Sequence, residues 1–195
     1  MKQIIYCTII SFLLISCKEQ VKTKEYNLPK VDWKINVPED FTVMTAEQIS
    51  EVNKKGADAI SKVYDTAIDF STTETLISLK KGQLNTFAVT VTPFDPKKDG
   101  SWDSTNLGIK AMLMGTFESQ MPDCRIDSSS TPALIDGISF DLFKMKITYP
   151  NKIILYSLLY SRLYKGYDFG INVAYTDEKV GEELKKIVSG STFKK

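Results

Sequence analysis

The sequence predicts an α+β domain: a mostly antiparallel central sheet flanked by helices, in an α/β/α sandwich. Three patterns carry this expectation. Segments with an apolar–polar period of two are joined by turn dipeptides (Lys81-Gly82, Asp136-Gly137, Lys165-Gly166), which tie neighbouring strands antiparallel. Three other stretches repeat with a helical period. Finally, Ile153-Ile154-Leu155-Tyr156-Ser157-Leu158-Leu159-Tyr160 is apolar on both faces, the mark of a central strand covered from both sides.

Val31 to Val37 alternates strictly and reads as a half-buried strand that Pro38 ends. Phe41-Thr42-Val43 is a short extended piece. Thr45 and Gln48 form a candidate capping box, so a helix is expected over 46–64, with Ile49, Val52, Gly56, Ala59, Ile60 and Val63 on its inner face. Thr75 to Lys80 and Thr86 to Phe94 form a hairpin. Pro93, Pro96 and Gly100 mark a loop. A second helix is expected from Ser104 to Ser119, with Leu107, Met114 and Phe117 turned inward, closed by Pro122. Strands follow at Cys124–Ser129, Ile138–Tyr149, Lys152–Tyr164 and Tyr167–Tyr175. A last helix begins near Asp177, buries Val180, Leu184, Ile187 and Val188, and stops at Gly190. Its acids lie toward the N-terminus and its lysines toward the C-terminus, as the helix dipole favours.

The first residues are of another kind. Lys2 is followed by an uncharged run up to Cys17, shorter than the roughly 20 apolar residues a membrane span requires and suited to the core of an export signal. Leu14-Ile15-Ser16-Cys17 resembles a bacterial lipobox. The resemblance implies cleavage between Ser16 and Cys17 and acylation of the Cys17 thiol. A diacylglyceryl group supplies the two chains that stable anchoring needs. An ordinary secretory signal and an uncleaved membrane segment are the competing readings. The expected organisation is therefore a signal at 1–16, a lipidated cysteine with a polar tether at 17–30, and one domain at 31–195. The expected location is the bacterial cell envelope, at the outer membrane, with the facing open between periplasm and surface.

Charge and composition exclude several classes. The chain has 25 Lys+Arg against 24 Asp+Glu, and loss of Lys2 with the signal would bring the two into balance. No basic cluster suggests a nucleic-acid partner. With no histidine in the chain, Ser-His-Asp and Cys-His catalysis and histidine-ligated metals are excluded. Of the three cysteines, Cys7 and Cys17 belong to the signal and anchor, leaving Cys124, read either as a small buried hydrophobe or as a reactive thiol beside Arg125. No cofactor and no metal are expected.

The segment Trp33-Lys34-Ile35-Asn36-Val37-Pro38-Glu39-Asp40-Phe41 resembles the entry of the PsbP-like superfamily. The closing Val173-Ala174-Tyr175-Thr176-Asp177-Glu178, with the helix after it, is similar to that family's end. The resemblance spans 31–195. It implies the layered fold and, because the superfamily is mostly non-enzymatic, brings no catalytic residue with it.

Candidate sites carry paired readings. Trp102, in a polar loop, is a binding anchor or a lid on the core. Tyr156, Tyr160 and Tyr164 share strand parity and line one face, as a groove for a sugar or peptide or as a face sealed by a helix. Asp95, Asp99 and Asp103 lack the calcium-loop pattern and read more simply as loop and cap residues. Asp65, Asp69 and Glu74 could serve glycoside hydrolysis only if folding sets two of them across a cleft. The expected function is a non-catalytic, membrane-anchored lipoprotein domain that binds an envelope protein or component. A small-ligand binder is the alternative, and a histidine-free hydrolase is a more distant one.

Overall fold

Trp33 is fully buried against Phe87, Phe169 and Phe193, and the rest of the domain is arranged around it. The computed structural model describes residues 22–65 and 71–194. The expected signal peptide, Ser16, Cys17 and Asp69 lie outside the described residues.

Among the described residues, ten strands and four α-helices, with a short 3-10 turn at Pro29–Val31 between the first two strands, follow in the order β1 (Thr23–Leu28), β2 (Trp33–Pro38), β3 (Thr42–Val43), α1 (Ala46–Tyr64), β4 (Glu74–Lys80), β5 (Thr86–Pro93), α2 (Pro96–Asp99), α3 (Trp102–Gln120), β6 (Arg125–Ile135), β7 (Ile138–Thr148), β8 (Ile154–Tyr164), β9 (Tyr167–Tyr175), α4 (Glu178–Ser189) and β10 (Thr192–Phe193). The capping box at α1 is complete: Thr45 accepts from the Gln48 backbone while Gln48 reaches back to the Thr45 N–H. Asp177 caps α4 by accepting from the N–H groups of Lys179 and Val180. Both residues of Asp136-Gly137 and of Lys165-Gly166 have positive φ, as a type I′ hairpin requires. These two-residue turns set the β6–β7 register at Ile135↔Ile138 and the β8–β9 register at Tyr164↔Tyr167.

A seven-stranded antiparallel sheet runs β3-β4-β5-β9-β8-β7-β6, and a separate three-stranded sheet runs β1-β2-β10. The small sheet and α4 together cover the front face of the large sheet, where Trp33, Ile35, Leu79, Phe87, Val89, Phe140, Phe169, Ile171, Leu184 and Phe193 form the main core. On the back face, Ile109, Leu113, Met114 and Phe117 of α3 pack on Phe143, Met145 and Leu159. The α+β architecture is the expected one, except that half of the front layer is a sheet and not a helix.

Several expectations change. Residues 23–28 are not tether: β1 pairs along its whole length with β2, burying Leu28 and tucking in Tyr26, while Glu25 pairs with Lys34 at 3.2 Å. Its one-sided burial and polar outer face hid it among charges. The inner face expected for α1 is only partly covered: Ile60 is buried and Ile49, Ala59 and Val63 are half-buried, but Val52 and Gly56 are exposed, because α1 leans on α3. Leu107 is exposed as well, whereas Met114 and Phe117 pack as expected. Helix α3 starts at Trp102 behind Ser101, so neither Asp103 nor Ser104 is its cap.

Candidate functional site

Strand β7 explains where the molecule is open. Its even-numbered residues face front: Phe140 and Leu142 enter the core, then Lys144 and Lys146 emerge into solvent. Its odd-numbered residues face back: Ser139 and Asp141 lie outside the apolar layer, then Phe143 and Met145 enter it. The strand passes from under one cover to under the other. Each face is left uncovered at an end of β7, and each of these corners holds a cavity; a further one of about 760 Å³ lies between β5, α2 and α3.

The front corner is a groove of about 530 Å³ between α4 and the β6–β8 side of the sheet. Leu142, Leu158 and Tyr160 form its floor. Tyr156 and Tyr175, directly opposite each other on β8 and β9, stack with ring centroids 5.0 Å apart and form one wall. Lys144 sits between Ser129 and Leu158, and Lys146 between Asp127 and Tyr156, so both ammonium groups border the groove from β7. Lys185 reaches in from α4, its ammonium 5.7 Å from the Tyr175 ring centre and paired with Glu182. Asp127 pairs with Arg125 at 3.0 Å. Among the described residues, no acid pairs with Lys144 or Lys146. Burial pushes the phenols of Tyr160 and Tyr175 up from their ordinary value, opposed in each case by the charge of Lys185. Both are therefore neutral hydroxyls at physiological pH.

Of the three tyrosines expected on one face, Tyr156 and Tyr160 meet in this groove and Tyr164 does not. Tyr160 is buried, while Tyr156 is half-exposed. Tyr164 lies at the far end of β8 against Phe169 and Phe193, beneath Arg162 and Lys165. Sequence reasoning did not single out Lys144, Lys146 or Lys185. Two lysines spaced by two, following Phe140 and Leu142 on the same parity, were the readable signal.

The back corner holds a cavity of about 500 Å³ lined by Trp102, Ser130, Asp141, Ser161 and Leu163 among others. Trp102 acts here as a latch: its indole N–H donates to Asp168 Oδ1 at 2.9 Å, fastening the start of α3 to β9. Asp141 is held by Lys110 and accepts from Asn106 at 2.6 Å, and Lys110 also donates to Ser130 Oγ at 3.2 Å.

The remaining candidates are dispersed. Asp65 ends α1 in the left-handed region, and Glu74 is paired with Lys30. Asp95 caps α2, and Asp99 accepts from the Asp95 N–H at 2.7 Å. Cys124 is half-buried, and the guanidinium of Arg125 is engaged by Asp127. Among the described residues, no three His, Cys, Asp or Glu side chains lie together as a metal would need.

No protein-family model matches the chain, and a search of curated protein sequences finds no match. Layered in this way, with its closing strand and helix, the chain has a PsbP-like α+β fold. The solved structure that carries this likeness is the solution structure of cyanobacterial PsbP (CyanoP) from Synechocystis sp. PCC 6803, at a TM-score of 0.56. The match covers 93% of this chain and 99% of that one at 9% sequence identity, so what the two share is the fold.

Proposed function

We propose that this chain is a lipid-anchored protein of the bacterial envelope, and that its domain is a non-catalytic binding module with the front groove as its site. The observation that carries the binding reading is the combination of an aromatic and aliphatic floor with two lysines that no acid neutralises. The volume falls in the range of small-ligand sites, roughly 300–1,000 Å³. In the back cavity, by contrast, Asp141 is bound by Lys110 and Asn106, which supports a structural role for that cluster.

The N-terminal residues support the anchor, and the start of β1 at Thr23 shortens the tether. Six steps from Cys17 to Thr23 reach at most about 20 Å at full extension. A series of backbone and side-chain contacts links that entry to the end of β9. Lys22 accepts from Glu39, Asp40 pairs with Lys81, and Asn85, four residues on, binds the Thr176 and Asp177 N–H groups just past Tyr175.

Two measurements test the reading. Palmitate labelling of cells should be lost in Cys17→Ser, and labelling that persists would defeat the anchor. A photocrosslinking residue at Ser129, beside the groove, should capture an envelope component that the same residue at Glu118 on α3 does not. Equal capture, or none, would remove the groove from consideration.

A further inference from the structure

We infer that the groove takes an acidic sugar, a pyranose unit bearing a carboxylate or phosphate, and this inference rests on the binding reading above. The lysines are the first argument. Lys144 and Lys146 are two residues apart on one strand face, so their stems leave the sheet about 7 Å apart. Both are exposed, and neither has an acidic partner among the described residues. An anion placed between them meets two ammonium groups and displaces no existing ion pair. The carboxylate directly across from Lys146, that of Asp127, is engaged by the Arg125 guanidinium.

The floor is the second argument. Tyr156 is half-exposed and stacked on Tyr175, which fixes its ring. A fixed aromatic ring beside Leu158 offers a flat apolar surface to the C–H face of a sugar ring. The third argument is the supply of hydroxyl partners. Ser129 borders the groove beside Lys144, the Tyr156 hydroxyl lies 3.4 Å from Glu178, and Tyr175 approaches Lys185. Bare phosphate would leave the floor unused, and an aliphatic chain would leave the lysines and hydroxyls unused.

The test is calorimetric titration of the purified full chain in detergent with four probes: trigalacturonate, maltotriose, inorganic phosphate and glycerol 3-phosphate. Trigalacturonate should bind, and the affinity should fall at least tenfold in the double variant Lys144→Glu/Lys146→Glu and in Tyr156→Ala. The double variant Lys144→Gln/Lys146→Gln, which removes charge without reversing it, should lose affinity by a smaller factor. Circular dichroism of each variant verifies the fold. Unchanged trigalacturonate affinity in all three variants overturns the proposal. Maltotriose binding as tightly, with loss in Tyr156→Ala, overturns the acidic requirement and leaves the groove as a site. Phosphate or glycerol 3-phosphate binding as tightly replaces the sugar by an anion or lipid headgroup. No binding by any probe overturns this inference, while the crosslinking result above still decides the groove.

Discussion

The indole N–H of Trp33 donates to the Ser191 hydroxyl at 2.7 Å, joining residues 158 apart in sequence inside the core. Ser191 donates in turn to the Val188 carbonyl at 2.6 Å, and the chain beyond it becomes β10, where Phe193 stacks on the same indole. The segment after α4 is thus stitched to β2 by a buried polar contact and an aromatic one. Ser191→Ala strands the indole N–H in an apolar site and should cost about 1–3 kcal/mol. Urea unfolding followed by tryptophan emission would measure it. A loss below about 0.5 kcal/mol would show that the indole finds another acceptor.

Gly181, one turn into α4, has no room for a side chain. A Cβ there would meet the Tyr175 ring, which is pinned by Tyr156 on its other side. Gly181→Ala should therefore move the helix or the ring, destabilising the domain by about 1–3 kcal/mol as overpacking does. Because Tyr175 forms the groove wall, the same variant should weaken any groove ligand. Thermal melting and ligand titration of one preparation would read both effects, and an unchanged melting temperature would refute the close contact.

Asp141 gathers Lys110 and Asn106 beneath α3, with the Lys110 side chain only 12% exposed. Removing the carboxylate leaves that ammonium poorly hydrated and unpaired. Asp141→Ala should cost about 2–3 kcal/mol, less than the full penalty for a wholly buried pair because Asp141 retains some solvent contact. The double variant Asp141→Ala/Lys110→Met should recover part of this loss. A cycle with no coupling would mean that the pair contributes nothing.

The acidity of Asp168 should be visible in stability. Burial raises its carboxyl above the ordinary carboxylate range, and the Trp102 N–H bond offsets only part of that rise. The folded state therefore binds a proton more tightly than the unfolded chain. This contribution is complete below the unfolded value, about pH 3.9, and is lost as pH rises through the raised folded value. Asp168→Asn keeps an acceptor for Trp102 and cannot ionise. Relative to the parent, it should gain stability as pH rises from about 4 toward neutrality. Urea midpoints of both proteins across that range check this, and parallel curves would refute it.

Much of the local structure was legible before folding. Thr45 and Gln48 marked the start of α1 to the residue, Asp177 and Gly190 bracketed α4, and Tyr167–Tyr175 was readable at both ends. All of these depend on neighbours within a few positions, where cap and turn chemistry acts. The strand β1 was not legible, because Thr23–Leu28 buries one strong residue and shows its charges to water. Half of the candidate site was visible as tyrosine parity. The other half, Lys144, Lys146 and Lys185, comes from separate elements and needed the placement of α4.

By itself, the sequence determined the periods, the caps, the type I′ turns and therefore the register of the β6–β7 and β8–β9 hairpins, since each of these is a short-range interaction. Only the tertiary structure decided that β5 lies beside β9, that β1, β2 and β10 leave the main sheet to form their own, and that α4 stops short of the lysines. Those choices follow from burying Trp33 and the front core under a cover too small for the whole sheet, a competition among distant surfaces that no local pattern records.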